Sequence, residues 1–123
     1  MSDAYPQVEV DSREELRRWL AQHHETSSGI WLVTYKKGDP RYLPYEYVVE
    51  EALCFGWIDS KARRVDESRT SIVLTPRKYR SNWSGPNRER VERLVAADLM
   101  APAGLAAIER AKVDGTWGAA DET

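Results

Sequence analysis

The chain has 123 residues, enough to bury one hydrophobic core and too few for two, so a single domain over residues 1–123 is expected. Hydrophobic residues make up 41% and charged residues 31%, which excludes an intrinsically disordered composition. No apolar run approaches the ~20 residues of a membrane span. Met1 to Pro6 carries neither a basic patch nor an apolar stretch, so no secretory leader is expected and the cytoplasm is the expected compartment. Cys54 is the single cysteine, which excludes an internal disulfide and a cysteine-based metal cluster.

The net charge of −2 is unevenly spread. Residues 1–60 carry 6 basic and 11 acidic side chains, residues 61–93 carry 10 and 4, and residues 94–123 carry 2 and 5. A basic middle between acidic ends makes a local positive field in a nearly neutral chain.

In chain order, Gln7 to Val10 alternates as a short strand. Asp11 and Ser12 offer N-cap oxygens, with Glu14 placed as in a capping box, and Leu16, Trp19, Leu20 and His23 form one stripe of a helix over residues 12–24. Ile30 to Lys36 is aromatic and β-branched, apolar on both faces, and reads as a central strand. Lys37-Gly38-Asp39-Pro40 is a turn, and Pro44 opens a helix carrying Tyr45, Val48, Val49, Ala52 and Leu53, with Gly56 at its left-handed end. Glu46, Glu50 and Glu51 fall on the opposite side of that helix, expected to be wet. Strands follow from Trp57 towards Val65 and from Thr70 to Thr75, joined by a hairpin turn at residues 66–69. Ser84 caps a helix with Pro86 in its first turn and a stripe of Val91, Leu94, Val95 and Leu99. After Ala101-Pro102 a last helix carries Leu105, Ile108 and Ala111, ending near Gly115. The order β-α-β-α-β-β-α-α predicts an α+β fold with a small, mostly antiparallel sheet.

Two sets of residues frame this reading: Ala52-Leu53-Cys54-Phe55-Gly56-Trp57-Ile58-Asp59, and Thr75-Pro76-Arg77 running to Ser81-Asn82-Trp83-Ser84 and Asn87-Arg88-Glu89-Arg90-Val91. With Ala103-Gly104-Leu105 and Asp114-Gly115-Thr116-Trp117, they resemble the YdeI/OmpD-associated, or bacteriocin-protection, family over roughly residues 28–120. The resemblance implies a bacterial role in envelope stress, in resistance to antimicrobial peptides or bacteriocins and in contact with an outer-membrane porin, and it brings no established enzymatic activity with it. Ser60 stands where that family usually has Gly, and the helical segment that usually follows the Asp-Gly-Thr-Trp region is not expected after Thr123.

The candidate ligand-binding set is aromatic and basic: Trp31, Tyr35, Lys36, Trp57, Asp59, Arg77, Lys78, Arg80 and Trp83, with Ser84 and Asn87 at the start of the penultimate helix. Arginine forks bind carboxylate or phosphate, indoles and phenols offer flat apolar area, and a helix start adds N–H groups and a positive dipole end. A cleft holding a small anionic molecule or a protein partner is expected, with exposed indoles in its wall and no cofactor. The alternatives are a nucleic-acid surface along residues 76–93 and an enzyme with Asp59 as acid or base. His23-His24 point to different sides of a helix and do not share a metal well, and Cys54 has no histidine near it in sequence.

Overall fold

A computed structural model describes residues 5–78 and 82–118. Its elements are β1 (Gln7–Glu9), α1 (Arg13–His23), β2 (Ile30–Tyr35), α2 (Tyr45–Cys54), β3 (Trp57–Arg64), β4 (Arg69–Pro76), α3 (Gly85–Ala96) and α4 (Pro102–Asp114). The order is the one predicted, and the fold is α+β. The sheet order is β1-β2-β4-β3, with β1 parallel to β2 and the other pairs antiparallel. The hairpin between β3 and β4 turns at Asp66, whose carboxylate accepts from the backbone N–H of Ser68 and Arg69.

β2 is the central strand that its apolar faces predicted, and all six of its residues are buried. Ile30 and Leu32 lie opposite Leu74 and Ile72 of β4 and join Leu16 and Leu20 of α1 and Val48, Val49, Ala52 and Leu53 of α2 in the main core. Val91 and Leu94 of α3 and Ala107, Ile108 and Ala111 of α4 complete it. The stripe predicted on α3 is narrower than the sequence suggests. Val95 is half exposed and Leu99 is also exposed, so only Val91 and Leu94 of that stripe enter the core. Leu105 of α4 likewise faces outward.

Trp31, Val33, Tyr35 and Val73 are buried yet stand outside that cluster, on the other face of the sheet. Long cationic side chains lie over two of these rings. The Arg63 guanidinium sits 4.2 Å from the Trp31 ring centroid and that of Arg41 sits 3.8 Å from the Tyr35 ring.

The cap of α1 differs in detail from the expected box. Ser12 is the N-cap and accepts from the Glu15 N–H at 3.1 Å, while the Glu15 carboxylate accepts from the Asp11 N–H at 2.9 Å. Glu15 rather than Glu14 closes the box because the helix starts one residue later than Asp11 requires. Glu51 is the larger correction. It is 2% exposed, not on a wet face. Arg17 Nη1 lies 3.0 Å from Glu51 Oε1, Arg13 Nε bonds Oε2, and Arg17 also donates to the Leu99 carbonyl at 2.7 Å. Helix α1 covers this side of α2 and carries the partners that make burial of a carboxylate affordable.

The approach of α4 to the end of α2 requires a missing side chain. A Cβ on Gly104 would stand 2.2 Å from the Cys54 carbonyl oxygen, a backbone atom that cannot swing away. Gly104→Ala is therefore expected to destabilise the fold by about 1–3 kcal/mol or more, read as a lower urea midpoint. Glu51→Gln keeps the shape and removes the charge facing two guanidinium groups. A loss of about 3 kcal/mol is expected in the same assay, at the low end for a broken buried pair because both arginines still reach water.

Candidate functional site

β4 ends at Pro76, and the Arg77 N–H donates to the Gly56 carbonyl at 3.0 Å, which fixes the departing chain beside the start of β3. Gly56 has φ +76°, the left-handed conformation that suits a residue without a Cβ. Asn82 to Ser84 then lead into α3. The Ser84 hydroxyl accepts from the Asn87 N–H at 3.2 Å, and Pro86 occupies the first turn, where a missing N–H costs nothing. The Arg77 guanidinium lies 3.8 Å from the Trp83 ring centroid and donates to the Asn82 carbonyl at 2.9 Å. The Trp83 ring packs at 5.1 Å from that of Trp117, and the Trp83 backbone N–H donates to the Thr116 carbonyl. Burial holds the Arg77 pKa below its ordinary value, though a guanidinium remains charged.

These contacts surround a cavity of about 550 Å³. Ile58, Val73 and Thr75 of the sheet, with Tyr5, give it an apolar wall. Lys61, Arg77, Lys78, Asn82, Ser84 and Asn87 supply the polar side. Among the described residues of the lining three are cationic and none is a carboxylate.

The predicted set is divided by the fold. Arg77, Lys78, Ser84 and Asn87 line this cavity, and Trp83 lies behind Arg77 as a buried platform. Arg80, with Tyr79 and Ser81, lies outside the described residues. The expected exposed indoles are corrected. Trp31, Trp57 and Trp83 are each 3% exposed or less. Trp57 sits on the core side of β3 with the Trp19 ring edge-on at 6.0 Å, and Arg63 closes over Trp31. Burying a large apolar ring outweighs leaving it in a wet wall. Tyr35 and Lys36 line a different cavity, beyond the opposite end of β4. Asp59 borders neither cavity. Its Oδ2 accepts from the Tyr45 hydroxyl at 2.6 Å, a bond that pushes the phenol up to about 12.

Lys61, Asn82 and the apolar wall were not anticipated from the sequence. Strand alternation points to Ile58 and Thr75 on one face, but the register shifts between Asp59 and Ala62, and Ser60 and Lys61 fall in that irregularity. The remaining candidates have local partners. The Nδ1 atoms of His23 and His24 lie 2.9 and 2.8 Å from the Trp19 and Leu20 carbonyls, and no metal-ligating cluster occurs among the described residues. Burial pushes the Cys54 thiol up, only partly opposed by Arg17, which suits a core residue and not a nucleophile. Arg90 makes a two-pronged pair with Glu46 at 2.9 and 3.0 Å, and Arg93 reaches Glu46 and Glu50.

The profile of the family described as Domain of unknown function (DUF8412) matches residues 8–107. The chain belongs to the DUF8412 family. No curated protein and no solved structure matches it. Among the described residues of the lining, all except Tyr5 fall within the DUF8412 match.

The division between platform and wall has a measurable consequence for this DUF8412 domain. Trp57→Ala is expected to cost about 3–5 kcal/mol of stability in urea unfolding, as for other buried large-to-small changes. Lys78→Ala, at an exposed position, is expected to stay within about 0.5 kcal/mol of the parent.

Proposed function

We propose that this DUF8412 domain binds a small anionic ligand, a phosphate or carboxylate with an apolar body, in the 550 Å³ cavity at the end of β4. In this reading it acts as a binding domain and not an enzyme. Its setting is the bacterial stress or antimicrobial-resistance role implied by the resemblance to YdeI/OmpD-associated proteins. One observation carries the reading: Lys61, Arg77 and Lys78 converge on a cavity that no carboxylate lines among the described residues. A cavity of this size accommodates a metabolite-sized molecule. Stacking on Trp83 orients the Arg77 fork, so less rotamer entropy is lost when an anion binds. The N-terminus of α3 adds the positive end of its dipole beside Ser84 and Asn87. Two features weigh against the alternatives. Asp59 is engaged by Tyr45 away from the cavity, which disfavours an acid or base role there. Arg90 and Arg93 are neutralised by α2 carboxylates, which interrupts a continuous basic track along residues 76–93.

Calorimetric titration with pyrophosphate, sugar phosphates, nucleotides and small carboxylates tests the proposal. At least one class is expected to saturate, with Arg77→Ala weakening it about tenfold or more, as for a lost charge-assisted hydrogen bond. A folded protein that binds none of them overturns the reading. Oligonucleotide binding that collapses as salt rises would replace it with a nucleic-acid interface.

A further inference from the structure

The large aliphatic side chains that stay exposed among the described residues are Val95, Leu99, Leu105 and Val113. All four lie on α3, on α4 or in the connection between them. Both helices pack against α2, and a groove of about 350 Å³ is left between them. Val91 and Ile108, which belong to the main core, form its floor. Val95 and Leu105 stand in its walls, one from each helix, 50% and 44% exposed. Single exposed aliphatic residues are ordinary, but a group confined to one helix pair around a groove marks a surface that gains by being covered.

Charge indicates what covers it. Glu92 of α3 and Glu109 of α4 give the groove a carboxylate on each wall. Neither makes an ion pair among the described residues, whereas Glu46, Glu50 and Glu51 of α2 are each matched by arginine. Lys112, the cation of the described lining, is turned to the Trp117 ring, 5.5 Å from its centroid. A second copy seated here would bring like-charged walls face to face, which disfavours self-association. Residues 119–123 carry Asp121 and Glu122 and no base, so their charge does not suit the groove either.

We propose that the groove between α3 and α4 docks a basic amphipathic helix of a protein partner. Apolar side chains at i, i+3, i+4 and i+7 of that helix cover Val95 and Leu105, and lysine or arginine at the borders of its stripe reaches Glu92 and Glu109. Docking buries half-exposed aliphatic surface and gives two unpaired carboxylates their partners in the same step. This surface shares no lining residue with the cavity at Arg77 and does not depend on the reading given there.

Calorimetric titration of the full chain with a blocked peptide made of two copies of Ala-Leu-Lys-Lys-Leu-Ala-Lys tests the assignment, with the same peptide carrying Glu in place of Lys as the comparison. Saturable binding of the lysine peptide is expected, with a gain of helical signal in circular dichroism, because so short a helix is marginal alone. Amide NMR shifts are expected around Val95 and Leu105, and the glutamate peptide is expected to bind at least tenfold more weakly. Val95→Ser with Leu105→Ser, at exposed positions that leave the fold intact, is expected to weaken the lysine peptide about tenfold. Glu92→Lys with Glu109→Lys is expected to reverse the preference between the peptides. Four results overturn the assignment: no saturation up to about 1 mM lysine peptide, equal affinity for the two peptides, shifts centred on Arg77 and Asn87, or unaltered affinity in a folded Val95→Ser, Leu105→Ser chain. Sedimentation that shows a dimer abolished by the same two serine substitutions would assign the groove to a second copy instead. None of these outcomes touches the cavity at Arg77, which phosphate-bearing ligands report on separately.

Discussion

The arrangement of the helices depends on one buried carboxylate. Glu51 sits inside the packing of α1 on α2, and it can do so because Arg13 and Arg17 bring two guanidinium groups to it. Arg17 extends the tie to the Leu99 carbonyl, in the connection between α3 and α4. A single charged group thus specifies how three helical layers meet. Apolar packing alone would not select this arrangement so strongly, since hydrophobic contact has no direction while an ion pair with a fork geometry does. Glu46 and Glu50 continue the pattern by pairing with Arg90 and Arg93 of α3, so α2 is held by charge on both flanks.

This pairing explains how a chain of nearly zero net charge presents a positive recess. The basic surplus of residues 61–93 is sorted by the fold. Arg69 is matched by Asp66 and Glu9, and Arg90 and Arg93 by the acids of α2. Lys61, Arg77 and Lys78 gather at the end of β4, where the strand gives way to α3.

Much of the fold was legible because its signals are local. Ser84 with Pro86, Gly56 after an apolar helix, and the β-branched run of Ile30 to Tyr35 each dictate backbone geometry within a few residues. What the sequence hid depends on long-range contact. Glu51 looks solvated on a helical wheel, and only the arrival of Arg13 and Arg17 from α1 makes it internal. Of the candidate site, the basic and capping residues Arg77, Lys78, Ser84 and Asn87 were legible because the helix start gathers them locally. The tryptophans misled because an indole suits a core and a binding wall equally well by composition. Lys61 was missed because the irregularity in β3 alters the alternation that would have placed it.

The guanidinium groups lying over the second face of the sheet bear on solubility. Without them, Trp31, Val33 and Val73 would form a bare apolar strip on a four-stranded sheet, the kind of surface through which proteins self-associate. An arginine keeps its proton from acid to strongly alkaline conditions, so this cover cannot be titrated away. Arginine also stacks flat on a ring, which a lysine ammonium does not do, and so the chain keeps an oily surface masked without spending a helix to cover it.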